Sequence, residues 1–273
     1  MQFKTIQGVD VPEIGLGTHK LIGREGENTI KLALNLGYRH IDTAQSYKNE
    51  REVGNAIKRS HIDREEIFLT SKIWHTHLEK ADVLKIAENT LREIDTPYVD
   101  LLLIHWPNHD VDVEKTLEAF LSLRDQGKAL NIGVANFPIK LLKEVNEELG
   151  APIFCNQVEY HPFLSQFDLL DYAAEHDLLF TAYSPLAQGK VTEHPLLQEL
   201  AEKYGKSPAQ IALRWLIEQE QVVAIPKAST EEHLKENIDV YDFALEDDDF
   251  YAIDDIDKST RLVDPDFAPE WDN

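Results

Sequence analysis

A carboxylate, a phenol, an ammonium and an imidazole stand at Asp42, Tyr47, Lys72 and His105 of a 273-residue chain. A phenol is a poor acid near neutrality, with an unperturbed pKa of about 10, but a neighbouring ammonium stabilises the phenolate and lowers that value. Lys72 is expected to be that ammonium, and Asp42 to hold it charged and oriented. A neutral His105 could donate a hydrogen bond to a substrate oxygen as negative charge grows on it. With Tyr47 as proton donor, the four make a site for protonating a developing alkoxide. Each residue alone has a plainer use. Asp42 before Thr43 could cap a helix, Lys72 could lay its stem along apolar surface, and His105 before Trp106 and Pro107 could be a core histidine. The chemistry therefore depends on whether the fold brings them together.

Short apolar runs recur along the chain at EIGLG (13–17), YRHID (38–42), IFLTSK (67–72), VDLLLIH (99–105), LNIGVAN (130–136), FCNQVE (154–159), LFTAYS (179–184) and VVAIP (222–226). Helical patterns separate them. ENTIKLALNLG carries apolar residues at i, i+3, i+4 and i+7 and closes on Gly37, and SPAQIALRWLIEQ opens with a serine cap and Pro208. Eight strand–helix alternations predict a closed parallel (β/α)8 barrel, one domain over 1–273. FKTIQGVDVP ahead of the first barrel strand reads as a hairpin around Gly8, placed to plug the barrel bottom. An open dinucleotide-binding sheet would need G-x-G-x-x-G after the first strand; Gly15 and Gly17 are followed by Thr18, His19 and Lys20 instead.

Barrel chemistry gathers at the C-terminal ends of strands. The polar residues falling there are Asp42, Lys72, His105, Asn136, Gln157 with Glu159, Ser184 and Lys227. Tyr47, five residues beyond Asp42, can lean over the same mouth.

A formal charge of −23 argues against nucleic acid and anionic membrane surfaces as partners, since both would be repelled. That excess suits either adaptation to a salty cytoplasm or ordinary lineage bias. The apolar run around LLLIHW is far too short to span a bilayer. One cysteine, Cys155, excludes an internal disulfide framework, and MQFKTIQGVD lacks the pattern of a secretory leader, so a cytoplasmic monomer is expected. His75 and His77 in WHTHLE have no third ligand at suitable spacing, so they are expected to be rim residues and no metal is expected. EDDDFYAIDDIDKS lacks the ligand spacing of a calcium loop; Phe250, Ile253 and Ile256 recur at helical intervals, which predicts an acidic face on a packed helix.

Together GYRHIDTAQSYKNE, TSKIW, LLLIHWP, GVANF, NQVEYHP, AYSPL and IPKAST with a following EN resemble the aldo-keto reductase superfamily nearly end to end. The resemblance implies that Asp42, Tyr47, Lys72 and His105 are a catalytic tetrad, with hydride delivered from a nicotinamide. It also implies a dinucleotide lying extended across the barrel mouth. Asn136 and Gln157 match the positions that hold the carboxamide, Tyr183 the ring stacked on nicotinamide, and Ser184 and Leu186 the pyrophosphate loop. Thr18 and Lys20 match contacts beside the first strand, and Lys227, Ser229, Thr230, His233 and Asn237 the adenosine-phosphate segment.

Two departures from the family pattern matter. Ala135 stands where serine usually precedes Asn136, which removes one hydroxyl contact. His233 stands where arginine is common, and histidine is the weaker partner for a 2'-phosphate. Lys227 keeps NADPH the favoured cofactor, with NADH also usable. The substrate wall is expected from His19, Tyr47, Trp74, His105 and Trp106, aromatic rings with a few polar groups that suit a small carbonyl compound. Only PNHDVDVE follows the fourth strand and the tail after Arg261 is short, which predicts an open, shallow pocket. The chain most resembles bacterial 2,5-diketo-D-gluconic acid reductases, some of which also reduce methylglyoxal; small aldehydes, 2-oxoaldehydes or keto-sugar acids are the implied substrates. A cofactor-binding regulatory barrel, of the kind that accompanies potassium channels, is the alternative on the same fold.

Overall fold

The computed structural model describes residues 2–272. Two antiparallel strands, β1 (Phe3–Ile6) and β2 (Val9–Pro12), form the expected hairpin, turning at Gln7 and Gly8, both at positive φ. Eight parallel strands follow in chain order: β3 (Leu16–Gly17), β4 (His40–Asp42), β5 (Phe68–Ile73), β6 (Val99–Ile104), β7 (Ala129–Ala135), β8 (Ile153–Glu159), β9 (Leu179–Tyr183) and β10 (Val222–Ala224). Every strand pairs with its sequence neighbour, and the ends meet through a parallel bridge between Ile14 and Ala224. The Gly15 and Ala224 amides donate across that seam to the Ala224 and Glu13 carbonyls at 2.8 and 2.9 Å. The sheet thus closes into the (β/α)8 barrel that the alternation predicts. Its first strand is shorter than the run 13–17, because at the seam only Leu16 and Gly17 also ladder with β4.

Helices cover the outside. The one over Pro208–Glu218 begins with a reciprocal box between Ser207 and Gln210, as its serine and proline predict, and buries Ile211, Leu213, Trp215 and Leu216 against the sheet. The acidic segment forms a helix over Asp247–Asp254 with Ile253 buried and its first-turn aspartates favourably placed at the positive end. Between sheet and helices lies one large apolar layer. A smaller second cluster fills the barrel itself: Phe68, Leu101, Leu103, Phe154, Cys155, Leu179 and Val223, with Ile6 and Val11 of the hairpin. The hairpin is therefore the barrel's floor. Lys4 fixes it by donating to the Ile217 and Gln219 carbonyls, and Gln7 by donating to those of Ile153 and Asp177. Among the described residues no helix is long and apolar enough to cross a membrane.

Candidate active site

Side chains alternate along a strand, so residues two apart share the barrel interior. His40 and Asp42 on β4, then Phe68, Thr70 and Lys72 on β5, run from floor to mouth. So do Leu101, Leu103 and His105 on and just beyond β6, and Cys155, Gln157 and Glu159 on β8. Contacts bear out the layering: His40 packs its ring 5.1 Å from that of Phe68, and Cys155 Sγ lies 3.4 Å from Thr181 Oγ1. On β4, β5 and β8, and just beyond β6, the last inward positions are the polar Asp42, Lys72, Glu159 and His105.

Lys72 Nζ donates to Asp42 Oδ1 at 2.5 Å and to the Thr43 carbonyl at 2.9 Å. Both side chains are essentially inaccessible to solvent. The other Asp42 oxygen accepts from Gln157 Nε2 at 2.8 Å. A buried carboxylate so supplied with donors holds its ammonium partner charged: burial works against the Lys72 cation, but Asp42 and Tyr47 outweigh it and its pKa is raised. Tyr47 arrives on a 3-10 turn, Gln45–Tyr47, with Lys72 Nζ 5.2 Å from its ring centroid. The expected fall in the Tyr47 pKa is not what the structure gives. Burial raises it, Lys72 opposes, Asp42 adds to the rise, and the net shift is upward. Tyr47 is accordingly a protonated phenol across neutral pH, able to donate a hydrogen bond.

His105 closes the group, its ring 5.8 Å from Tyr47 and 5.0 Å from Trp74. Burial, then Lys72, His19 and His75, hold its pKa well below the ordinary histidine range, so the ring is neutral as expected. Its Nδ1 lies 3.5 Å from Ser46 Oγ. Beside it Asn136, in the left-handed region, donates to the His105 carbonyl at 2.9 Å and accepts from the Tyr183 hydroxyl at 2.8 Å. Each of the two amides, Asn136 and Gln157, has spent only part of its hydrogen-bonding capacity within the chain.

The expected cofactor residues differ in exposure and in local bonding. Tyr183 is half-buried, and Ser184 follows it at positive φ, as do Ala187, Gln188 and Gly189 beyond half-buried Leu186. Lys227, Ser229 and His233 are exposed, Thr230 caps the helix Glu231–Ile238 by accepting from the His233 amide, and Asn237 is buried. Lys20 is exposed. Thr18 is buried, its hydroxyl donating to the Asp42 carbonyl at 2.9 Å, so it supports the Asp42 loop from within. The donor set fits an extended dinucleotide: two amides for a carboxamide, an aromatic face, a turn of upturned backbone, and a lysine beside a helix N-terminus.

His19 sets its ring 5.0 Å from Tyr47, and Trp74 its ring 5.0 Å from His105. Trp106 is only 4% exposed, covered by residues that the sequence reading missed. Phe267 sets its ring 5.5 Å from both Trp74 and Trp106 and stacks on His75 at 4.0 Å; Trp271 lies 6.0 Å from Trp106. The short tail thus walls one side of a mouth expected to be open. Its aromatic pair, spaced by APE in FAPEW, was the available signal. His75 is engaged in this stack, and among the described residues no group of acids, histidines and cysteine is arranged to hold a metal. A cleft of about 260 Å³ lies outside the mouth, between Leu78, Ile104, Val113, Phe137 and Val145; no tetrad residue lines it.

Known proteins resemble this chain in sequence and in fold. Residues 13–258 match the aldo/keto reductase family. Glyoxal reductase of Bacillus subtilis (strain 168) is 41% identical over 260 residues, 95% of this chain and 94% of that protein. Methylglyoxal reductase DkgB of Escherichia coli O157:H7 is 38% identical over 96% of this chain and 99% of its own length. A crystal structure provisionally assigned as a 2,5-diketo-D-gluconic acid reductase B superposes with a TM-score of 0.97 at 40% identity, covering 100% of this chain and 98% of that one.

Proposed function

This chain belongs to the aldo/keto reductase family, and on that basis we propose that it reduces small aldehydes, 2-oxoaldehydes or keto-sugar acids to alcohols with NADPH. The observation that carries the reading is the buried Lys72–Asp42 pair under a protonated Tyr47 and beside a neutral His105. A bound nicotinamide would supply hydride to the carbonyl carbon. The chain's own residues do the rest. His105 and Tyr47 donate hydrogen bonds to the carbonyl oxygen, and Tyr47 gives up its hydroxyl proton as that oxygen becomes an alkoxide. Lys72 stabilises the phenolate left behind, and Asp42 keeps Lys72 charged and in place. Asn136 and Gln157 would orient the carboxamide, and Tyr183 would stack on the ring.

Exposed Lys227 is the cation for a 2'-phosphate, which favours NADPH; His233 in place of a permanent guanidinium leaves NADH usable. The relatives named for glyoxal and methylglyoxal support a small substrate. The whole chain would work as one cytoplasmic, monomeric unit. Oxidation of NADPH and of NADH, followed with glyoxal, methylglyoxal and a keto-sugar acid, tests the reading. Turnover with NADPH on at least one is expected. Cofactor binding without turnover on any of them would favour the regulatory-barrel alternative.

A further inference from the structure

We propose that Glu159 is a positioning residue, a buried latch that fixes the C-terminal strap as the outer wall of the mouth and so sets which carbonyl substrates it accepts. The proposal rests on the reductase reading above for its substrate half only. Glu159 is fully buried at the last inward position of β8, two residues beyond Gln157, which binds Asp42. A carboxylate in that place costs stability unless every lone pair finds a donor. The donors come from the tail. The Leu262 amide donates to Oε1 at 2.8 Å and the Val263 amide to Oε2 at 2.9 Å, from more than a hundred residues away.

His161 supplies a third donor. Its Nδ1 accepts from the Phe163 amide at 3.2 Å, which places the ring proton on Nε2, 3.0 Å from Glu159 Oε1. Just before the latch, the Ser165 and Thr260 amides donate to the Lys258 and Phe163 carbonyls, zipping 258–260 to the loop after β8. Beyond it the strap is tied again, where Asp272 Oδ2 accepts from the Ile139 amide at 2.8 Å. Between these two ties lie Phe267 and Trp271, the rings against Trp74, His75 and Trp106. Arg261, at the latch, lies 3.7 Å over the Trp271 ring. The wall therefore keeps its shape because a carboxylate inside the barrel holds its root.

The test uses the full chain as wild type, Glu159→Gln, Glu159→Asp and Phe267→Ala. Glutamine keeps the shape but turns one accepting oxygen into a donor facing a backbone N–H. Amide exchange at Leu262 and Val263 should then quicken by about tenfold or more. KM for 4-nitrobenzaldehyde, large enough to reach the strap, should rise by at least about fivefold, while kcat and KM for methylglyoxal stay within about twofold. Glu159→Asp should recover part of both effects. Phe267→Ala should reproduce the substrate split with exchange at 262–263 unchanged, which keeps the idea testable if Glu159→Gln does not fold. Unchanged exchange in Glu159→Gln, or equal KM shifts for the two aldehydes, would overturn the latch. If wild type turns over neither aldehyde, the reductase reading falls and the exchange alone decides the latch.

Discussion

The floor and the mouth of the barrel are built from the same strands yet obey opposite chemistry. Down at the hairpin the interior is filled mainly by an apolar cluster of Phe68, Leu101, Leu103, Phe154, Cys155, Leu179 and Val223. Two to four residues further along, the same faces carry Lys72, His105, Gln157, Glu159 and Tyr183. Burial has different consequences at the two ends. On the floor it stabilises by removing apolar surface from water, and it leaves Cys155 with a thiol pKa pushed up to about 12, inert as a nucleophile. At the mouth burial would be ruinous for lone charges, and it is tolerated because Asp42 and Lys72 answer each other and Gln157 and Thr43 take the remaining bonds. The floor contributes rigidity, and the mouth uses it to hold groups that would otherwise neutralise or turn to water.

Removing one partner of the buried pair should break this contrast most severely. Lys72→Met leaves Asp42 buried with no cation, and chemical denaturation should show a loss of about 3–5 kcal/mol together with lost turnover. A variant as stable as wild type would mean that the pair is far better hydrated than its burial implies. On the floor, Leu101→Ala should cost about 2–5 kcal/mol by opening a cavity, while kcat stays within about twofold because Leu101 lies four residues short of His105 and pairs in register with Thr70 rather than Lys72. A large kcat effect there would show that the two ends are mechanically coupled.

Tyr47→Phe asks the reverse question. The ring stays and the proton goes, so kcat should fall at least about a hundredfold with the melting temperature nearly unchanged. Near-normal reduction of methylglyoxal by this variant would remove Tyr47 as the acid.

The smallest expected effect concerns His40, which burial holds at a pKa of about 4 against an ordinary 6.5. Unfolded, that ring binds a proton below about 6.5; folded, only near 4. The unfolded state therefore holds more protons in between, and stability should fall as pH drops through that window, by up to about 1.4 kcal/mol per pH unit from this group. Replacing His40 with Asn should flatten the fall in melting temperature between pH 6.5 and 4.5. An unchanged slope would assign the acid sensitivity to other groups.

Much of this was legible in the sequence. Apolar runs separated by helical patterns specify the eight strands, because a buried parallel strand must be apolar on both faces. Asp42, Lys72 and His105 could be placed at strand ends because period-two alternation fixes which residues point inward once the run is known. Even the hairpin and the serine cap at Ser207 follow from local chemistry. Turn residues and caps act within a few positions of themselves, and so can be read locally.

Tertiary structure alone decided other things. The sign of the Tyr47 shift depends on how deeply the phenol is buried, which no spacing reveals, and burial proved larger than the pull of Lys72. Gln157 as a second donor to Asp42, and Glu159 as the anchor of Leu262 and Val263, join segments more than a hundred residues apart. Such contacts exist only after the barrel has closed and brought the ends of distant strands to one rim. The sequence by itself determined which residues could meet at that rim; closure determined which did, how dry the meeting place became, and that a short tail would become its wall.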